Sequence, residues 1–305
     1  MRRRYVTVDV FTDRAFGGNP LAVVLDAEEL STEEMQAIAR EFNYSETTFV
    51  LPPRDKAHDA EVRIFTVNSE IPFAGHPNVG TAFVLASRAE RPPARLLFEE
   101  KAGLVPVEIA SKQGKVTSAE LTAPQPLKRL TQFSAEQVAA CLSLSAADVK
   151  SDRHPPHVIS IGLPFLAVEL ASRDALRRAK PNAAAFARTF PVDDSDAVYF
   201  YTRDVAPNEK PCDVQARMFH PGSSGLSEDP ATGSATAAAA ALFAALDGLS
   251  DGELKLTIGQ GFDMGRPSLL LTRVRKQGGK VVSTHVGGAC VFMMEGVLSL
   301  TGSGS

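Results

Sequence analysis

The chain has 305 residues, of which 44% are hydrophobic and 22% charged, and it contains no long polar tract. This composition is that of a globular protein and excludes a disordered or fibrous one. Lys and Arg number 32 against 36 Asp and Glu, without large blocks of one sign, so the chain has no basic stripe and we expect no nucleic-acid partner. No run reaches the ~18 apolar residues that a membrane helix needs, so we also expect no membrane partner.

The first half of the chain reads as strands with one early helix. Residues 5–11 alternate in polarity directly after three arginines, which indicates a strand and not a signal peptide, so we expect a cytoplasmic protein. Ser31 with Glu34 forms a capping box that predicts a helix over 32–42. Strands are predicted near residues 5–11, 21–25, 46–51, 61–65, 95–99, 104–110 and 115–121.

The second half repeats this mixture. Short helices are predicted over 134–142 and 173–189, and the uncharged stretch 234–246 predicts a helix buried on all sides. Residues 77–86 are similarly uncharged. Strands are predicted near residues 157–161, 165–170, 196–202, 213–219, 253–258, 267–275, 280–286 and 289–299.

These patterns predict an α+β fold of two pseudo-symmetric domains, each a curled, mainly antiparallel sheet around a central helix. We expect the first domain to comprise residues 1–122 plus 287–300 and the second 123–286. Residues 301–305 are Thr, Gly and Ser only and are predicted to be a flexible tail.

An internal repeat supports the two-domain prediction. Residues 69–75 and 227–233 share the frame S-E-x-P-x-x-G at a spacing of 158, about half the chain. A strand-like segment ending in Phe65 precedes the first copy, and one ending in Phe219 precedes the second. Residues 18–23 loosely resemble 162–168. Three matches in the same order indicate duplication.

Both repeat motifs end where a buried helix begins. Helix N-termini expose unpaired backbone N–H groups with a partial positive charge, so they can bind an anion. If a pseudo-two-fold axis relates the halves, Gly75-His76 and Gly233-Ser234 face each other across a cleft. Two such helix starts around one small carboxylate would stabilise negative charge that develops at carbon.

Proton transfer at carbon needs a base and an acid, and few residues near these motifs qualify. Glu46 begins a β-branched strand, Asp229 lies inside the second motif, and His76 and Ser234 follow the two glycines. Each also has a structural interpretation. Glu46 could be a solvated strand end, Asp229 and Ser234 could be helix caps, and His76 could be a structural histidine.

At these residues the chain resembles the phenazine biosynthesis PhzF-like family, whose fold is that of diaminopimelate epimerase and proline racemase. The matches lie in family order along almost the whole chain. They are residues 9–11, 18–23, 45–47, 73–77, 228–235, 261 and 265–268.

The resemblance implies a cofactor-free isomerase with no metal, commonly a homodimer, whose active site lies in the interdomain cleft. Members of the phenazine pathway move a proton between carbons of a dihydro-hydroxyanthranilate, using a glutamate at the position of Glu46. His76 and Asp229 match the family's other catalytic positions. Asn19, Gly75, Gly233 and Ser234 are expected to bind a small carboxylate substrate. The mechanism would require a raised pKa for Glu46.

The racemase relatives differ at one decisive point, because they place a cysteine at each helix start. Here the corresponding positions hold His76 or its neighbour and Ser234, and the three cysteines lie elsewhere, so we do not expect a two-thiol racemase mechanism. Their spacing fits neither a disulfide framework nor a zinc site, so we expect buried thiols.

Three alternative functions relate to other features of the sequence or the fold. A dehydrogenase is disfavoured, because residues 259–265 read G-x-G-x-x-x-G, one residue longer than the dinucleotide fingerprint, and a predicted strand follows them. A metal site is also disfavoured, because His154 and His157 are predicted to lie in a Pro-rich loop without a third metal ligand. The alternative from another class is a protein that binds a small ligand or another protein on the same fold without turnover.

Overall fold

A computed structural model describes residues 1–205, 212–222 and 225–300 of the protein. The predicted tail, 301–305, lies outside the described residues. The chain divides into two compact units, the first formed by Met1–Leu121 with the segment that begins at Gly287, and the second by Thr122–Val286.

Strands make up most of the regular structure, and both units contain a long helix. The helices are α1 (Thr32–Phe42), α2 (Gly75–Arg88), α3 (Ala135–Cys141), α4 (Arg173–Arg178), α5 (Ala183–Thr189) and α6 (Gly233–Leu246). The strands are β1 (Arg2–Val10), β2 (Asn19–Val24), β3 (Glu46–Leu51), β4 (Ala60–Phe65), β5 (Glu70–Ile71), β6 (Arg95–Glu100), β7 (Gly103–Lys112), β8 (Lys115–Thr122), β9 (Lys128–Gln132), β10 (Val149–Lys150), β11 (His157–Ser160), β12 (Pro164–Leu170), β13 (Val198–Thr202), β14 (Val214–Gly222), β15 (Gly225–Glu228), β16 (Gly252–Gln260), β17 (Ser268–Gln277), β18 (Lys280–Gly288) and β19 (Cys290–Ser299).

In the first unit the strands form a mainly antiparallel sheet. β1 pairs antiparallel with β19 and β2, and β2 pairs parallel with β3. β3 pairs antiparallel with β4, which continues antiparallel to β5 and parallel to β6. β6, β7 and β8 follow as antiparallel neighbours.

The second unit repeats this order with other strands. β11 pairs antiparallel with β9 and β12, and β12 pairs parallel with β13. β13 pairs antiparallel with β14, which continues antiparallel to β15 and parallel to β16. β16 and β17 are antiparallel. The α+β fold and the duplication predicted from sequence are therefore confirmed, since the direction of each pair is the same in both units.

Two side-chain arrangements recur at matching places. Asp59 bridges β4 to β6, because its N–H donates to Leu97 O at 3.0 Å and its Oδ2 accepts from Leu97 N at 2.7 Å. Asp213 makes the same two bonds to Thr257, at 2.8 and 2.7 Å. A bidentate Arg–Glu pair also joins each repeat motif to the strand before it. The pairs are Arg63 with Glu70 and Arg217 with Glu228, and all four N–O distances are 2.8 Å.

The central helix of each unit is buried, as its lack of charge predicts. α2 packs against β1, β2, β3 and β7, and α6 packs against β11, β12, β16 and β17. At Gly80 in α2, a Cβ atom would lie 2.5 Å from Leu21 Cδ2 and 2.7 Å from Val10 Cγ2, so only glycine permits this approach. The capping box of α1 is present, with Glu34 N donating to Ser31 Oγ at 3.1 Å and Ser31 N to Glu34 Oε2 at 2.8 Å.

Some elements differ from the sequence predictions. The helix predicted over 173–189 is wrong as a single helix, because the chain leaves helical geometry after Arg178 and Pro181 disfavours a helical residue before it. β9 was not predicted, since its five residues are all exposed and its extended form comes from pairing with β11. β15 was not predicted either, because its conformation depends on pairing with β14.

Cys141, Cys212 and Cys290 are all buried and form no disulfide bond, as expected. In the part of the chain that the structure describes, no helix is both long and apolar enough to cross a membrane.

Candidate active site

In the first unit, the predicted site residues lie at the edge where two parallel strands begin. Leu21 of β2 pairs with Glu46 of β3, so β2 and β3, which begin at Asn19 and Glu46, start at the same edge. His76, the second residue of α2, lies beside Glu46, with 3.4 Å between its Nδ1 and Glu46 Oε2. The first turn of α2 therefore meets this edge, and the structure brings Asn19, Glu46 and His76 together.

The His76 ring is buried, with 5% of its side chain exposed, whereas the Glu46 side chain is 19% exposed. Burial lowers the pKa of His76 from 6.5 to about 3, opposed by a hydrogen bond with the backbone of Pro20. The distance of 3.4 Å exceeds that of a strong charge-assisted hydrogen bond, so Glu46 does not hold the ring as an imidazolium. The ring is neutral near pH 7, and its Nε2 has no hydrogen-bond partner among the described residues.

The helix starts that follow the two repeat motifs have a common feature. The residue before α2 is Ala74 and the residue before α6 is Thr232, and neither side chain caps its helix. The first N–H groups of both helices therefore lack the side-chain acceptor that usually neutralises them. Gly75 and Gly233 are the first helical residues, which is compatible with the predicted binding of an anion at each end.

In the second unit, Asp229 lies between β15 and α6 and is half-buried. Its Oδ2 accepts a hydrogen bond from Thr232 Oγ1 at 2.6 Å, and its backbone N–H donates to Met218 O at 3.2 Å. Ser234, the second residue of α6, is half-buried and matches His76 in the repeat. The bond to Thr232 holds the Asp229 side chain at the start of the helix.

Two polar residues of this region were not predicted as site residues. Thr232 binds Asp229 directly, and Gln260, fully buried at the end of β16, bonds to both ends of the Asp229–Thr232 segment. A buried amide inside an otherwise apolar strand end is the sequence signal that could have indicated Gln260. It was read only as part of G-x-G-x-x-x-G.

That glycine pattern does not form a dinucleotide loop. β16 ends at Gln260, and the residues after it form a short 3-10 helix, Phe262–Met264, between Gly261 and Gly265, each with a φ of 75°. β17 follows, not the α-helix that would bind a pyrophosphate.

His154 and His157, of which the second begins β11, are engaged with protein groups. A Nδ1 atom of each lies within 2.8 Å of the Pro155 carbonyl oxygen, and His154 Nε2 lies 2.6 Å from Tyr201 Oη. Burial lowers the pKa of both rings. Within the described ranges, no three His, Cys, Asp or Glu side chains are grouped so as to hold a metal ion.

Several known proteins that are similar to this chain are named as isomerases or epimerases. The sequence profile of the family described as "Phenazine biosynthesis-like protein" matches residues 8–296. An uncharacterised isomerase of Mesorhizobium japonicum is 38% identical over 97% of this chain and 98% of its own length. The trans-2,3-dihydro-3-hydroxyanthranilate isomerase of Pseudomonas aeruginosa is 35% identical over 96% of this chain and 98% of its own.

Solved structures agree with this match. The PhzF-family phenazine biosynthesis protein of Bacillus anthracis superposes with a TM-score of 0.85 at 26% identity, covering 98% of this chain and all of the other. A hydroxyproline epimerase of Agrobacterium vitis, 13% identical with a TM-score of 0.62 and covering 97% and 91% of the two chains, shares the fold. The chain belongs to the phenazine biosynthesis-like protein family, and it is an isomerase.

Proposed function

We propose that this isomerase moves a proton between two carbons of a small cyclic unsaturated carboxylic acid, with Glu46 as the general acid and base. The observation that carries the proposal is the Glu46–His76 pair at the start of α2, where a partly exposed carboxylate lies 3.4 Å from a buried neutral imidazole. The Pseudomonas aeruginosa relative is named for a substrate of this class, which supports the same chemistry here.

Glu46 carries out the proton transfer in this proposal. Its carboxylate takes a proton from one carbon, and the electron pair of that C–H bond enters the conjugated system. The carboxylic acid so formed then donates a proton to another carbon, and the double bonds shift by one position. One carboxylate that reaches both carbons is sufficient for this sequence.

His76 assists as a neutral hydrogen-bonding group. With a pKa of about 3, the ring carries no charge at pH 7 and cannot act as an imidazolium acid. Its buried Nε2, which has no partner among the described residues, is proposed to meet a polar group of the substrate. This contact would orient the reacting carbons beside Glu46.

Substrate binding is assigned to the groups around the two helix starts. The backbone N–H groups at Gly75, Gly233 and Ser234 are proposed to bind the substrate's negative charge, because neither helix has a side-chain cap. Asn19, fully buried beside Pro20, is proposed to bind a polar substituent. Asp229 is proposed to be a catalytic residue that binds an amino or hydroxyl group of the substrate.

The test is proton NMR in heavy water with trans-2,3-dihydro-3-hydroxyanthranilate and related amino and unsaturated acids. Wild type should incorporate deuterium at carbon, and Glu46→Gln should lose about 10³-fold in rate, since general acid–base catalysis contributes 10²–10⁴-fold. Glu108→Gln, a matched change at an exposed site on β7, should leave the rate unchanged.

Two outcomes would contradict the proposal. Exchange that persists in Glu46→Gln would remove Glu46 from the mechanism. Wild-type protein that binds these acids, seen by line broadening, yet exchanges no proton at carbon would favour a binding protein without turnover.

A further inference from the structure

The Gly259–Gly261 motif has no role in the chemistry described so far, yet both ends of its central amide side chain are hydrogen-bonded. Gln260 is fully buried. Its Nε2 donates to Asp229 O at 2.8 Å and to Thr232 Oγ1 at 3.0 Å, and its Oε1 accepts from Thr232 N at 3.1 Å. The amide therefore spans the segment from Asp229 to the start of α6.

The backbone determines which way this amide points. The N–H of Thr232 can only donate, so it must face Oε1, and the carbonyl oxygen of Asp229 can only accept, so it must face Nε2. The Thr232 hydroxyl then accepts from Nε2, which leaves its single proton for Asp229 Oδ2, 2.6 Å away. The chain of bonds runs from Gln260 through Thr232 to Asp229, and the two backbone groups fix the direction of its Gln260–Thr232 step.

The glycines on either side permit this contact. At Gly261, whose φ is +75°, a Cβ atom would lie 2.4 Å from Arg266 O and 2.7 Å from Pro230 O. At Gly259 it would lie 2.6 Å from Cys212 Sγ. Ser268 Oγ donates to Pro230 O at 2.9 Å, in the middle of the same segment. Gly261 and Ser268 therefore pack directly against the Asp229–Thr232 segment, whereas Gly259 allows β16 to approach Cys212.

The first unit has no counterpart of Asp229, and it shows which residue then stands at the position of Gln260. Ala60 pairs with Phe98 in the first unit as Val214 pairs with Ile258 in the second, so Glu100 occupies the place of Gln260. In the repeat frame, Ile71 and Ala74 stand for Asp229 and Thr232. The amide and the hydroxyl therefore occur together with the aspartate, and the copy without the aspartate has neither.

We propose that Gln260 and Thr232 are positioning residues that hold the Asp229 side chain as an ionised acceptor in one rotamer. The proposal rests on the proposed function in making Asp229 a catalytic residue. A hydrogen bond donated to the charged form of a carboxyl group favours that form, and fixing the rotamer preserves the geometry that proton transfer requires.

The kinetic test compares Thr232→Val with Thr232→Ser, because valine keeps the shape and removes the hydroxyl. Thr232→Val should lower kcat about 10- to 100-fold, because a small misplacement of a catalytic group can cost on the order of 100-fold in rate. It should also move the acid limb of kcat/KM to higher pH by about one unit, since a bond to a charged group is worth roughly that much. Thr232→Ser should restore both, and a purely structural role would move neither limb.

The second test needs no substrate. With ¹³C-labelled aspartate, the carboxyl titration of Asp229 in Thr232→Val should have its midpoint about one pH unit above that of wild type, and Thr232→Ser should match wild type. If Thr232→Val does not fold, Gln260→Leu is used, which frees the hydroxyl proton from its fixed direction and should shift the midpoint the same way by less.

These readouts separate the two proposals. A shifted titration with no wild-type turnover would leave the positioning role intact and remove the proposed function. Normal wild-type turnover with an unshifted titration and an unchanged acid limb in Thr232→Val would overturn the positioning role alone.

Discussion

The two units have the same strand order but carry their acidic groups at different positions. Glu46 precedes Thr47, which pairs with Phe65, whereas Ala197 precedes Val198, which pairs with Phe219, so alanine takes the place of Glu46 in the second unit. Conversely, Asp229 of the second unit replaces Ile71 of the first. Each unit therefore supplies one carboxylate near its helix start, and the two positions are not equivalent.

The groups that maintain the scaffold do not differ in this way. The aspartate that bridges the parallel strands, and the Arg–Glu pair before the central helix, are present in both units with nearly equal distances. In the Arg–Glu pairs each largely buried charge needs its partner, whereas the exposed aspartates bond to backbone N–H groups of the neighbouring strand. The residues proposed for chemistry differ, since alanine stands in place of Glu46 in the second unit and isoleucine in place of Asp229 in the first.

The largest difference in stability is expected from breaking the two Arg–Glu pairs. Arg217 also donates to the carbonyl oxygens of Leu176 and Ala179, at 2.7 and 3.1 Å, whereas Glu70 keeps Lys101 at 2.6 Å when Arg63 is lost. Arg217→Met should therefore lower the free energy of unfolding by about 3–5 kcal/mol and Arg63→Met by about 1–2 kcal/mol. Urea unfolding measures both, and equal losses would contradict the comparison.

A smaller change in the free energy of unfolding is expected at Glu100, which stands in the first unit where the second has Gln260. Burial raises the pKa of Glu100 from 4.5 to about 8, and neither of its carboxyl oxygens has a hydrogen-bond partner among the described residues. The folded protein keeps this proton longer than the unfolded chain, so the stability it contributes is fully present below pH 4.5 and is lost as pH rises through 8.

Glu100→Gln should therefore raise the free energy of unfolding by about 3 kcal/mol near pH 7, and the gain should disappear near pH 4.5. Denaturant unfolding at the two pH values measures this. The matched variant Gln260→Glu should have the opposite sign in the second unit. A gain for Glu100→Gln that does not depend on pH would show that burial does not hold its proton.

The smallest effect concerns His76 in acid. Its folded pKa of about 3 lies below the ordinary 6.5, so the unfolded chain binds a proton first. The neutral His76 ring therefore contributes fully to the free energy of unfolding above pH 6.5. This contribution is lost as pH falls toward 3, and the loss is about 1.4 kcal/mol at pH 5.5. His76→Asn should remove this part of the acid sensitivity in thermal unfolding.

The variant should remain partly acid-sensitive, because burial also lowers the pKa of His154 and His157 in the second unit. Identical pH profiles for wild type and His76→Asn would mean that the ring is accessible to protons in the folded protein.

The sequence alone was sufficient for the strand pattern, the duplication and the two central helices. Alternating polarity, capping residues and uncharged stretches reflect local chemistry that does not depend on distant partners. It also contained the residues by which the chain resembles its family. The sequence did not predict elements whose conformation depends on distant partners. One example is β9, whose exposed residues are extended because they pair with β11.

Tertiary structure alone decided the state and surroundings of the proposed site residues. That His76 is neutral follows from complete burial, which no residue next to it in the sequence indicates. The contact between Gln260 and Asp229 joins residues 31 positions apart, and strand register places the amide there. Spacing along a chain predicts which groups share an element, whereas burial and hydrogen-bond direction depend on what the rest of the fold packs against them.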